Sequence, residues 1–364
     1  MATSQHQLTR SAYTLVELLV VMAALTVLAA VTLPTLKTLL SDQKVSSASR
    51  SVLAHLQAAQ GRAIASNSPV AVILERDSDE TIGTMNTVSR LSIGQVFPPY
   101  EGDIAGATGV LSDFNSDDYI DRLAVPIGVA SLLTDISPAP AVFSAGDYLQ
   151  LDDRQSTYVV LSITPETVAG VLYAMIDFKN PAVGQEKGDL LLISRTWNLN
   201  SRFRLYRKPT KSFLQTLTLP RGTCVDLSVS GFGTATNSFG LNVLPLNPTM
   251  IVFNPQGRIA YWTNGASVPD TATSLLHLMV GRTEQVSALD PTDLAYTPEA
   301  AEPEDTSNLN SNVNDNGNTW LTINPFTGAI SSAGMQAGNE GSALAVRLPI
   351  SRAFATHAIT QSKN

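Results

Sequence analysis

Between Leu18 and Leu36 the chain reads LLVVMAALTVLAAVTLPTL, 19 residues (36 − 18 + 1) without a charge. At 1.5 Å per residue a helix of that length reaches about 30 Å, the thickness of a hydrocarbon core. The pattern then changes instead of stopping. Leu36, Leu40, Ala48, Val52 and Leu56 recur on a four-residue step, flanked by Val45, Ala59 and Ala63. Lys37, Asp42, Lys44, Arg50 and Arg62 lie between them, so the continuation is an amphipathic helix. Asn67-Ser68-Pro69 closes it, because proline cannot extend an α-helical hydrogen-bond ladder. One helix from Thr14 to Ser66 would be about 80 Å long. Pro34 falls inside it and is expected to bend it.

Past Pro69 the apolar period drops to two. VAVILE, RLSIGQV, TYVVLSI, GVLYAMIDF, DLLLISRTW, RFRLYR, SFLQTLTL, TCVDLSV, TMIVF, RIAYW, SLLHLMV, TWLTI and ALAVRL read as strands separated by Gly, Pro, Asn and Asp. Two stretches break the rhythm and read as inserted loops: 102–141, rich in Asp, Gly and Pro, and 290–317, acidic and rich in Asn. The fold expected is α+β, one long N-terminal helix packed against a predominantly antiparallel β head at 67–364.

Composition removes several function classes. The 364 residues carry 31 acids against 23 bases, a formal charge of −8 that disfavours nucleic-acid binding. A single cysteine, Cys224, rules out an intramolecular disulfide and a cysteine metal cluster, and its place in TCVDLSV makes it a core thiol. His6, His55, His277 and His357 are scattered and lack a metal-binding spacing. The glycine-rich pieces, such as GFGTATNSFG, lack the phosphate-cradling patterns and read as turns. The chain reads as no enzyme, with no resident cofactor.

Glu17 stands at the edge of the apolar run, where a carboxylate costs on the order of 1–3 kcal/mol. An ordinary secretory signal, cleaved near Leu28-Ala29-Ala30, or a plain signal anchor leaves that carboxylate without a role. The stretch Tyr13-Thr14-Leu15-Val16-Glu17 resembles the class III leader of type IV pilins and type II secretion pseudopilins. The resemblance implies a leader at 1–12, cut between Ala12 and Tyr13 by a prepilin peptidase, and N-methylation of Tyr13. It further implies a membrane-spanning half at 13–36, bent at Pro34, and an amphipathic half at 37–66. Glu17 would pair with the processed amine of a neighbouring subunit and set assembly register. Ala12 stands where the family usually has Gly, and Tyr13 where it commonly has Phe.

A looser resemblance links 46–74 to the H-type minor pseudopilins and their fimbrial T-type relatives, through Ala65, Asn67, Pro69 and Val70. Leu219, Pro220 and Gly222, then Phe253 and Gly257, fit that family's later strand and hairpin elements, and TINPFTGAI repeats the hairpin with Gly328. On these grounds the expected function is a minor subunit of a secretion or pilus filament, single-pass in a bacterial inner membrane with its head outside the cytoplasm. Partners would be the peptidase, other pilin or pseudopilin subunits, the inner-membrane assembly platform and the lipid bilayer. The alternatives are a signal-anchored adhesin or ligand-binding β-rich exoprotein, and a major pilin subunit.

LSDFNSDDYIDR places Asp113, Asn115 and Asp117 at alternate positions, with Asp121 four further on, like the first half of a calcium loop. Asp118 replaces the glycine such a loop needs at its sixth position, and Ala124 replaces the acid at its twelfth. A solvated acidic loop is the competing reading.

Overall fold

The computed structural model describes residues 15–77, 86–112, 120–133, 142–151, 157–179, 200–234, 238–240, 248–265, 269–286, 311–336 and 344–361. Of residues 29–39, 213–215, 344–346 and 358–361 it describes the backbone alone.

Helix α1 runs unbroken over Leu15–Ser66, and its helical assignment continues past Pro34. It stops where Asn67 turns left-handed at φ +48°, with Ser68 N donating to Ala63 O at 3.3 Å. Its four-step stripe, Ala48, Val52, Leu56, Ala59 and Ala63, is fully buried in the main core.

That core lies between α1 and two five-stranded sheets. Sheet A has the order β10 (Thr210–Thr218), β3 (Arg90–Gln95), β1 (Val70–Glu75), β12 (Thr249–Phe253), β13 (Ile259–Thr263). Sheet B has the order β16 (Ile330–Gly334), β15 (Thr319–Ile323), β14 (Leu276–Arg282), β11 (Thr223–Phe232), β2 (Thr87–Val88). Every recorded pairing is antiparallel. In β1, Val70, Val72 and Leu74 face the main core while Ala71 and Ile73 enter a second cluster with Met250 and Val252. Both faces are covered, which is why 70–74, VAVIL, is apolar throughout. In β11, Val225 and Leu227 face the α1 side. An irregularity between Asp226 and Gly231 then accompanies a change of partners, and Val229 packs with Met279, Trp320 and Leu348.

Leu348 belongs to a second helix, α2 (Leu344–Gln361), which covers the outer face of sheet B. Residues 344–348 of the expected strand ALAVRL belong to this helix. Leu348, Arg352 and Ala355, at i, i+4 and i+7, all face inward.

The segment between β3 and β10 carries its own architecture. A closed barrel has the order β4 (Thr108–Ser112), β5 (Arg122–Pro126), β8 (Val171–Lys179), β7 (Thr157–Val168), β6 (Tyr148–Leu151), β9 (Asn200–Tyr206), with β9 pairing back to β4. Its core, from Tyr100 to Leu205, is built wholly from this segment. The polar stretch 102–141, expected as loop, therefore contains two barrel strands. Of 290–317, only 311–317 is described, and it holds the 3-10 turn Asn312–Asn314.

The class is α+β, but the expected pilin-like arrangement with a membrane-spanning half needs correction. Among the described residues no helix is long and apolar enough to cross a membrane. The exposed apolar run at 15–28 also contains a carboxylate, Glu17.

Candidate interaction surface

The N-terminal part of α1, 15–28, forms an exposed apolar arm. Leu15, Val16, Leu18, Leu19, Val20, Val21, Met22, Leu25, Val27 and Leu28 are each 53–80% exposed. At 100° per residue these positions surround the helix, so the segment is apolar on every side instead of along one stripe. Burying a large aliphatic side chain is worth about 1.5–3 kcal/mol. A helix built this way is stable when other apolar surfaces enclose it. Glu17 lies in its first turn, where a carboxylate meets the positive end of the helix dipole.

The root of the arm is anchored on sheet B. Arg282, the last residue of β14, donates from Nη2 to Asp42 Oδ1 at 2.6 Å, and its Nη1 lies 3.2 Å from Asp315 Oδ2. At the far end, Gln60 Nε2 donates to Gly257 O and to Gly328 O, each at 2.7 Å. Those carbonyls belong to the β12–β13 and β15–β16 turns, which also meet directly through Ile259 N and Pro325 O at 3.1 Å. The body thus grips α1 from Asp42 to Gln60 and leaves 15–28 projecting.

Among the described residues Cys224, His55 and His277 stand apart from one another. Cys224 is fully buried, and burial pushes its thiol well up, away from the nucleophilic thiolate. His277 is buried beside Trp320, with Nδ1 3.1 Å from Thr322 Oγ1. Burial, and secondarily Arg352, pushes it down to about 3. His55 is also lowered by burial. A hollow of about 430 Å³ follows Gln43, Ser47 and Arg50 of α1, and one of about 80 Å³ on the barrel touches Glu101, Arg202 and Arg204. Neither is lined by a histidine or a cysteine.

Among the described residues no group of three or more His, Cys, Asp or Glu is placed to hold a metal. Asp113, Asn115 and Asp117 lie outside the described residues, whereas Asp121 is described and its carbonyl accepts Phe178 N at 2.8 Å. In the second Asn-rich loop, arginines already meet the oxygens: Arg282 faces Asp315, and Arg347 donates to Asn314. Two guanidinium groups there disfavour a bound cation.

Ala12 and Tyr13 also lie outside the described residues. Phe253 is a buried core side chain, and Gly257 (φ +76°), Gly328 (φ +73°) and Gly222 (φ +87°) are turn glycines. Sequence reasoning missed Asp42, Gln60, Asp226 and Arg282. The paired Asn-Pro turns were its one signal for the Gln60 tie.

No family model matches the chain, and comparison with curated proteins and with solved structures finds no similar one. Together with the lack, among the described residues, of a helix long and apolar enough to cross a membrane, this overturns the reading as a minor filament subunit in a bacterial inner membrane. The signal-anchored and major-subunit alternatives rested on the same spanning helix and fall with it.

Proposed function

We propose that this chain is a non-catalytic assembly protein whose projecting apolar arm, 15–28, packs against the arms of other copies of the chain. The observation that carries the reading is the all-round exposure of ten large apolar side chains on a helix whose root is fixed to a folded body. A stripe on one side would call for one neighbour; an apolar circumference calls for several, and identical arms supply them. The grip of Arg282 and Gln60 supports a role in which the body positions the arm. The resemblance of 13–17 to a class III leader carries a companion proposal, that a prepilin peptidase releases 1–12 and leaves Tyr13 as the first residue.

Sedimentation of the full-length chain tests the first proposal. The native chain should form multimers, and Leu18→Ser with Val21→Ser and Leu25→Ser should shift it to monomer with the β signal in circular dichroism unchanged. A native chain that sediments as a monomer at tens of micromolar would overturn it. The intact mass of the same material from peptidase-bearing cells should begin at Tyr13, and a mass that retains 1–12 would overturn the companion proposal.

A further inference from the structure

Asp226 is a carboxylate with no exposed surface, in the irregular part of β11. Its Oδ1 accepts Ser228 N at 2.9 Å and Ser228 Oγ at 2.5 Å, and its Oδ2 accepts Asn312 Nδ2 at 2.8 Å. Asn312 cannot reverse its amide cheaply. Its Oδ1 accepts Arg282 N at 2.8 Å and Asn318 Nδ2 at 3.0 Å, while its Nδ2 also donates to Arg282 O at 3.1 Å. Asn312 therefore holds both backbone polar groups of Arg282, whose guanidinium reaches Asp42 on α1. Two sets of hydrogen bonds, joined by the side chain of Arg282 itself, connect a buried carboxyl on β11 of sheet B to the root of the arm.

We propose that Asp226 is a proton-operated latch whose ionisation, relayed by Asn312 to Arg282, loosens the attachment of α1 at Asp42. In the neutral state the carboxyl proton sits on Oδ1 and uses Ser228 Oγ as acceptor, which leaves Asn312 in place. Arg282 then directs its charge to Asp42 and Asp315. In the ionised state a buried anion draws on Asn312 and on the field of Arg282, and it is relieved by water entering through the 3-10 turn Asn312–Asn314.

Burial pushes the Asp226 carboxyl up to about 6 despite the donors from Asn312 and Ser228. A carboxyl raised above its unfolded value of 3.8 stabilises the fold most below that value. The contribution is lost as pH rises through about 6, opposite in sign to an ordinary salt-bridged acid. The other ionisable groups around the relay are Cys224 on β11, Asp77 beside β2, Arg282 and His277 on β14, Asp42 on α1, Asp315 after the turn, and Arg347 and Arg352 on α2.

Hydrogen exchange of the full chain, corrected for intrinsic rates, separates the outcomes. Protection of the amides around Asp42 and of the 3-10 turn should fall about tenfold between pH 5 and pH 8. In Asp226→Asn it should stay level over that range. Equal pH dependence in native and Asp226→Asn chains, or none in the native chain, would overturn the proposal. Asp42→Asn guards against failure of the first variant to fold. It should leave the transition at the 3-10 turn in place, and loss of that transition would assign the titration to Asp42 instead.

Discussion

Gln60 uses one side-chain amide to join two turns that are far apart in sequence, and the turns are built alike. Asn254 Oδ1 accepts Gln256 N at 3.0 Å and Arg258 N at 2.9 Å, and Asn324 Oδ1 accepts Phe326 N at 2.9 Å and Thr327 N at 3.2 Å. Each turn then needs a left-handed glycine, Gly257 or Gly328. At Gly328 a second constraint is added, since a Cβ there would lie 2.0 Å from Gly257 O, a backbone atom that cannot swing away. Gly222 shares the left-handed conformation but has nothing within 4 Å of such a Cβ. Gly222→Ala should therefore cost about 1 kcal/mol, the conformational term alone. Gly328→Ala should cost about 3 kcal/mol or more, because a packing clash is added. Denaturant midpoints of the two variants would measure the difference, and equal costs would show that the turns do not meet as described.

At the scale of elements, the β7–β8 hairpin leaves the barrel as a paired arm of its own. Its register runs outward to Val168↔Val171, closed by Ala169 and Gly170 at φ +51° and +83°. Two positive φ values in a two-residue turn favour Asn-Gly, and alanine at the first position stores about 1 kcal/mol of strain. Ala169→Asn should raise stability by about 0.5–1 kcal/mol, seen as a higher thermal midpoint. A lowered midpoint would contradict the turn geometry. Elements of this kind were largely legible in sequence, since alternation marked TYVVLSI and GVLYAMIDF as strands. ALAVRL misled because a run of six residues, five of them apolar, fits either period, and the inward seam of α2 includes Arg352, a charged residue that hides the helical repeat. The apolar arm was legible from its run of uncharged residues. Its anchorage was not, because Arg282 and Asp42 are separated by 240 positions and no local pattern links them.

For the whole molecule, the governing fact is where the barrel is inserted. Thr210 of β10 is the direct partner of Gln95 of β3, so the chain leaves sheet A and returns to it at adjacent points. The barrel core contains no residue from outside that excursion. The two parts do touch, with Tyr261 of β13 close to Tyr148 and Tyr206 of the barrel. Replacing 96–209 with Asn-Gly should therefore leave a two-sheet body that unfolds cooperatively, at reduced stability because Tyr261 loses its cover. Loss of a cooperative transition in that shortened chain would show that the sheets depend on the barrel.

The same adjacency bears on the order of folding. Held together across an unstructured chain, Gln95 and Thr210 would face a loop-closure penalty of about 4 kcal/mol, plus a constant, for a separation of 115 positions (210 − 95). A barrel that has already formed brings the two ends side by side and removes most of that penalty before β10 docks. Sheet A would then acquire its last strand after the barrel closes, and a lesion in the barrel core would slow completion of a sheet outside the barrel.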